Sequence, residues 1–218
     1  METHFNQQEV MQIFPTLVWR GELNSTRYTG LNAGLLAALQ SIGAPPEGSL
    51  RPGENWQSNH DLQNLPAFRP LVDCVLAASK IVLDYLRLRQ SLIITGCWAN
   101  VNPPGTGHRL HSHRNNYLSG AYYLQVQEGA DTINFYDPKT QAGVIRPNPT
   151  EPTAENTEVA SLRVAPGSLL IFPAWLQHSV DANRSTRTRI SFSFNLMFAG
   201  FAEHMAQPAW ESGRGRLE

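Results

Sequence analysis

The chain has 218 residues, 41% of them apolar, and 17 basic residues stand against 18 acidic ones for a net charge of −1. That length suits one domain with a sizeable core, and the balanced charge excludes the basic footprint of a nucleic-acid binder. No apolar stretch approaches the ~20 residues of a membrane span, and two cysteines, Cys74 and Cys97, are too few for a disulfide framework or a zinc ribbon.

The opening METHFNQQEVMQ has neither a basic flank nor an apolar run, so no signal peptide is expected. A cytoplasmic, single-domain protein is expected, with neither a membrane nor a nucleic acid as partner. Residues 1–28 read as an irregular arm. Leu31, Leu35, Leu36, Leu39 and Ile42 then recur at helical spacing until Gly43 and Pro45-Pro46 end the pattern. Residues 43–66 read as a long loop. A second helix is predicted over 67–89, with Leu71, Val72, Val75, Leu76, Val82, Leu83 and Leu86 on one side and Cys74 as a small packed hydrophobe.

From residue 91 the pattern changes to short β-rich runs at 92–101, 118–126, 132–136, 158–164, 168–172, 176–180 and 188–198, separated by Gly- and Pro-rich turns. Such punctuation predicts a sandwich or barrel, with the two helices packed on its outside. The layout is an arm and helices over 1–90, a β core over 91–200 and a polar tail over 201–218. Exposed apolar residues on the outer helices would permit a homodimer.

Three histidines carry the chemistry. His111 and His113 stand two apart in HSH, and residues at i and i+2 of an extended segment share a face. His178, at the end of the apolar run FPAWLQH, can close a triangle of imidazoles from a facing strand. The alternative is a solvated pair in a loop. In TRISFSFN, Arg189, Ser191 and Ser193 alternate with Ile190, Phe192 and Phe194. A cation and hydroxyls turned into a barrel are costly unless they hold an anion, and a guanidinium beside a hydroxyl suits a carboxylate. A wet face of the sheet is the other reading, and Arg187 shares the parity of Arg189. Around these, His108 and Arg109 either line the entrance or form an exposed turn. Arg114, Asn115 and Asn116 either touch substrate or are loop. Trp175 reads as core, with a pocket wall as the other reading, and His4, His60 and His204 have no partners in sequence.

The segments HSHRNNYLSGAYYL, PGSLLIFPAWLQHSV and RISFSFN resemble the Fe(II)/2-oxoglutarate-dependent oxygenases of the double-stranded β-helix, or cupin-like jelly-roll, fold. Phe14-Pro15-Thr16, Trp98-Ala99-Asn100 and Ser119-Gly120 extend the likeness over residues 13–198, to a bacterial and phage group that carries HxH…H. The resemblance implies Fe(II) held by His111, His113 and His178, and 2-oxoglutarate held by Arg189, Ser191, Tyr123 and Asn100. It also implies O2 and a small-molecule or peptide substrate, with succinate and CO2 released. The tyrosine assignment follows a more distant similarity to prolyl hydroxylases. His113 stands where most of the superfamily has a carboxylate, which leaves the Fe(II) ligand set at a charge of +2 instead of +1. Neither Asp131 nor Asp137 has the spacing to replace that carboxylate. Two other readings stay open, a three-His cupin dioxygenase that needs no 2-oxoglutarate and a non-catalytic jelly-roll binding module. Metal identity and cosubstrate dependence separate them.

Overall fold

The computed structural model describes residues 7–202 apart from Pro52 and Arg146. The arm expected over 1–28 contains a strand, β1 (Trp19–Glu22), too short and too mixed in polarity for alternation to reveal it. Helix α1 (Ser25–Ser41) starts at Asn24, whose side chain accepts the Arg27 N–H, and it buries Leu35, Ala38 and Leu39. The segment expected as loop holds a two-residue strand, β2 (Trp56–Gln57), and two 3-10 turns. Helix α2 (Arg69–Tyr85) carries Pro70 in its first turn, where a missing N–H costs nothing, and buries Leu71, Val75, Val82 and Leu83 on one side.

The β core follows the predicted runs closely: β3 (Leu92–Asn102), β5 (Leu118–Gln125), β6 (Thr132–Tyr136), β7 (Val159–Arg163), β8 (Ser168–Pro173), β9 (His178–Val180) and β10 (Arg189–Phe198). One strand beyond the prediction, β4 (His108–His111), precedes β5, and a short helix, α3 (Ala199–Ala202), ends the described chain. All pairings between strands are antiparallel, in a large sheet ordered β1-β8-β5-β10-β3-β2 and a small one ordered β4-β9-β6-β7. This is the jelly-roll architecture, two sheets that do not close into a barrel, with both long helices outside. Among the described residues no helix is long and apolar enough to cross a membrane.

The large sheet is covered on both faces. One face packs Tyr122, Leu169, Ile171, Phe192, Phe194 and Leu196 against the helices. The other sends Ala121, Tyr123, Leu170 and Phe172 toward Ile133, Phe135 and Leu176. A bulge keeps β3 in step with this division. Asn195 pairs with Gly96 but Leu196 pairs with Ile94, so Thr95 is an extra residue. The switch of parity lets Leu92, Ile94, Cys97 and Ala99 all join the helix side. At Gly120 there is no room for a side chain, since an added Cβ would lie 2.3 Å from the Leu170 carbonyl oxygen and 2.4 Å from the Phe194 ring.

Candidate active site

Between the sheets lies a cavity of ≈ 260 Å³, with Trp98, Asn100, Tyr123, Arg189, Ser191 and Ser193 contributed by the large sheet and His108, His111 and His178 by the small one. Two larger clefts, of ≈ 780 and ≈ 470 Å³, lie against the helices and β1 and hold none of the three candidate ligands. The histidines converge because β4 and β9 are neighbours, with His111 opposite His178. Strand β4 ends at His111, so His113 does not reach the cluster by strict strand alternation. It is held by its own backbone N–H, which donates to the Ala174 carbonyl at 2.8 Å. The loop that follows is clipped to the bulge, where the Thr95 hydroxyl donates to Asn116 Oδ1 at 2.6 Å.

The candidate ligand atoms of His111, His113 and His178 lie within 4.8 Å of one another, and among the described residues this is the one such cluster. The Nδ1–H groups of His111 and His178 donate to the carbonyls of Arg109 (2.7 Å) and Leu176 (2.9 Å). A carbonyl can only accept, so the tautomer is fixed and Nε2 keeps its lone pair, the usual preparation of a metal-binding imidazole. Burial pushes His113 down to about 3, with the neighbouring histidines adding to the effect. Burial likewise pushes His178 to about 4, against the pull of its bond to Leu176. Both rings are therefore neutral through the physiological range. The residues present fit a divalent metal of the kind that accepts imidazole nitrogen.

Arg189 occupies the other informative end. It is 3% exposed, and its guanidinium carbon sits 5.3 Å from the centroid of the Tyr123 ring. Among the described residues it forms no ion pair, and both its Nε and the Tyr123 hydroxyl are buried without a hydrogen-bond partner. Burial works against the charge on Arg189, partly offset by Tyr123 and Asp131. An uncompensated buried cation is costly, so this end is shaped for an anion. Ser191, 4% exposed, adds a hydroxyl with no partner among the described residues. Arg187 is excluded from the cavity. It lies exposed and pairs with Glu47 at 3.6 Å. Asp131 and Asp137 pair with Arg163 and Lys139 and stay outside the histidine cluster.

Residues 96–195 match the model of a family described as "Putative 2OG-Fe(II) oxygenase", where 2OG is 2-oxoglutarate. This core is similar to that family. The match spans strands β3 through most of β10 and so includes all three histidines and Arg189. No curated protein matches the sequence significantly. Among solved structures, a Pseudomonas putida prolyl-4-hydroxylase is similar at 16% identity and a TM-score of 0.57, over 85% of this chain and 94% of that one. HygX from Streptomyces hygroscopicus, solved with nickel and 2-oxoglutarate bound, is similar at 14% identity and a TM-score of 0.57, over 84% and 82%. The carbocyclase SnoK from nogalamycin biosynthesis reaches 15% identity and a TM-score of 0.61, over 88% and 87%. At such identities the likeness is one of fold.

Of the residues around this cavity, His60 escapes sequence reasoning. Trp98 is sandwiched in the cavity wall, stacked on His60 at 4.4 Å and tilted against His113 at 5.8 Å. His60 Nε2 meets Gln57 Oε1 at 3.2 Å, Gln57 donates to Asn100 Oδ1 at 2.8 Å, and Asn100 donates to Ser193 Oγ at 3.0 Å. His60 therefore lines the cavity, although nothing near it in sequence signals that. Asn100 belongs to this polar wall, and both ends of its amide are engaged. Trp175 is 56% exposed, not core, because it caps the turn between β8 and β9 and faces an outer cleft. His108 is inside the cavity, Arg109, Arg114 and Asn115 are exposed, and His4 and His204 lie outside the described residues.

Proposed function

We propose that this protein is a non-haem Fe(II)- and 2-oxoglutarate-dependent oxygenase that hydroxylates a small molecule or a peptide side chain, releasing succinate and CO2. The observation that carries this reading is one cavity holding both a histidine triad and a buried guanidinium without a counter-ion. His111, His113 and His178 would hold the metal, the first and last through Nε2. Arg189 would hold the distal carboxylate of 2-oxoglutarate, with the hydroxyls of Tyr123 and Ser191 as further donors and Asn100 as part of the wall. When bound, Fe(II) and 2-oxoglutarate together supply the oxidising power that divides O2 between succinate and the substrate.

The chain's own contribution is placement and exclusion. Burial keeps the His113 and His178 imidazoles neutral at neutral pH, so neither must lose a proton before metal binds. Three neutral ligands leave the metal's charge uncompensated, which with Arg189 strengthens the draw on a dianion. Ile133, Phe172 and Val180 line the cavity with apolar surface, which limits water beside the reacting groups. Nickel and 2-oxoglutarate bound in the similar HygX structure support the same pairing here. A three-His dioxygenase without 2-oxoglutarate, or a binding module, would need another anion to occupy the buried Arg189 and Tyr123 donors.

The test is turnover of 2-oxoglutarate to succinate with Fe(II) and O2, first without and then with candidate substrates. Metal-dependent succinate formation, coupled to a product that gains one oxygen atom, supports the reading. Succinate coupled to a product with no added oxygen contradicts hydroxylation, and absence of succinate contradicts the oxygenase itself.

A further inference from the structure

At the Arg189 end, one side chain crosses the cavity from sheet to sheet. His108 stands on β4 opposite Val180 of β9, and Asn102 stands on β3 opposite Arg189. His108 Nε2 lies 3.0 Å from Asn102 Oδ1. The imidazole thus bridges the small sheet to the large one and lines the cavity as it does so. Burial, reinforced by the Arg189 guanidinium, holds His108 at about 4, so the ring is neutral and its Nε2–H is the donor.

Both anchors of the bridge are firm. Asn102 is 2% exposed, and its backbone carbonyl accepts the Asn183 amide at 3.0 Å. Just before His108, a Cβ on Gly107 would lie 2.5 Å from the Val180 carbonyl oxygen, so β4 is pressed against β9 with no slack. The buried Asn102 Nδ2 has no partner. Near the guanidinium that receives an anion, the cavity wall is therefore His108, tied to the buried Asn102 behind it and through it to rigid backbone.

We propose that the His108–Asn102 bridge is an end wall that sets the length of the 2-oxo acid the site accepts, admitting 2-oxoglutarate and excluding its one-methylene-longer homologue. The inference rests on the oxygenase reading above. A diacid held at one end by the triad and at the other by Arg189 has a fixed span, and a stiff wall cannot absorb an extra methylene without strain. Neither His108 nor Asn102 is assigned a metal or a carboxylate to hold. They act through the space they deny.

The experiment titrates the Fe(II)-loaded full chain, without O2, with 2-oxoglutarate, 2-oxoadipate and pyruvate, reading affinity from the visible absorption of the chelated 2-oxo acid. The wild type is expected to prefer 2-oxoglutarate over 2-oxoadipate by about tenfold or more, the usual reach of one methylene in a fitted pocket. His108→Ala should erase that preference mainly by binding 2-oxoadipate more tightly, a gain that misfolding cannot produce. Asn102→Ala, which removes the other half of the bridge, should move the ratio in the same direction. His108→Gln, which can still donate to Asn102, should keep the wild-type ratio. A His108→Ala protein that weakens both diacids equally, or leaves their ratio unchanged, overturns the end wall alone. A wild type that binds pyruvate as tightly as 2-oxoglutarate overturns the anion end itself, and the oxygenase reading with it.

Discussion

Strands β3, β5, β8 and β10 build both faces of the large sheet, yet the faces share little chemistry. On β10 the contrast falls between adjacent residues. Phe192, Phe194 and Leu196 are fully buried against the helices, while Arg189, Ser191 and Ser193 line the cavity on the other side. The helix side is a continuous apolar core whose members satisfy one another by packing. The inner side contains polar groups left unsatisfied, Arg189 Nε and the Tyr123 hydroxyl foremost. Folding stability is concentrated on the first face, and the second spends some of it on donors that wait for a ligand.

The sharpest way to break this contrast is to truncate one residue on each face. Phe194→Ala should lose about 3–5 kcal/mol of stability, because it opens a void in a face with no slack, as chemical denaturation would register. Arg189→Met should leave the melting temperature unchanged or raise it, since it removes a buried charge without a counter-ion. The same change should weaken 2-oxoglutarate binding by about 2–5 kcal/mol, the cost of losing one partner of a buried charged pair. If Arg189→Met unfolds the protein as readily as Phe194→Ala does, the division of labour between the faces is wrong.

Acid should find the inner face first. His113, His178 and His108 are held at about 3, about 4 and about 4, below the ordinary 6.5. The unfolded chain therefore takes up protons that the folded chain refuses, and stability falls as pH drops from about 6.5 toward 4. Above that window these groups contribute no slope. Melting followed against pH checks this, and a flat profile down to about pH 4 would contradict the burial of these three rings as neutral groups. The same values move the acid limb of metal binding downward, so loss of metal only below about pH 5 is compatible with a histidine site. The smallest effect is expected for Ser193→Ala. It removes the acceptor for the Asn100 amide and should cost about 1 kcal/mol of stability, leaving 2-oxoglutarate affinity as it was by calorimetry.

Why one face is easier to read from sequence than the other follows from these particulars. The seven β runs between residues 92 and 198 are legible because alternation and Gly/Pro turns act within a few residues. Strand β1 escapes because four residues of mixed polarity pair with β8, far away in the chain, and β2 because two residues make no period. The HSH pair, His178 at the end of FPAWLQH and the RIS segment stand out as local patterns. The Gln57–His60 wall and the His108–Asn102 bridge depend on contacts between β2, β3, β4 and β10 that no local spacing encodes. Trp175 misleads for the same reason, since an aromatic in a turn between strands has no periodicity to declare its exposure.

The most direct measurement adds Fe(II) and then 2-oxoglutarate to metal-free protein without O2, recording the visible charge-transfer absorption of a chelated 2-oxo acid in wild type and in Arg189→Ala. The account predicts a band that saturates in the wild type and is lost, or needs far more 2-oxoglutarate, in the variant. Iron binding without any band, or a band indifferent to Arg189, would contradict it.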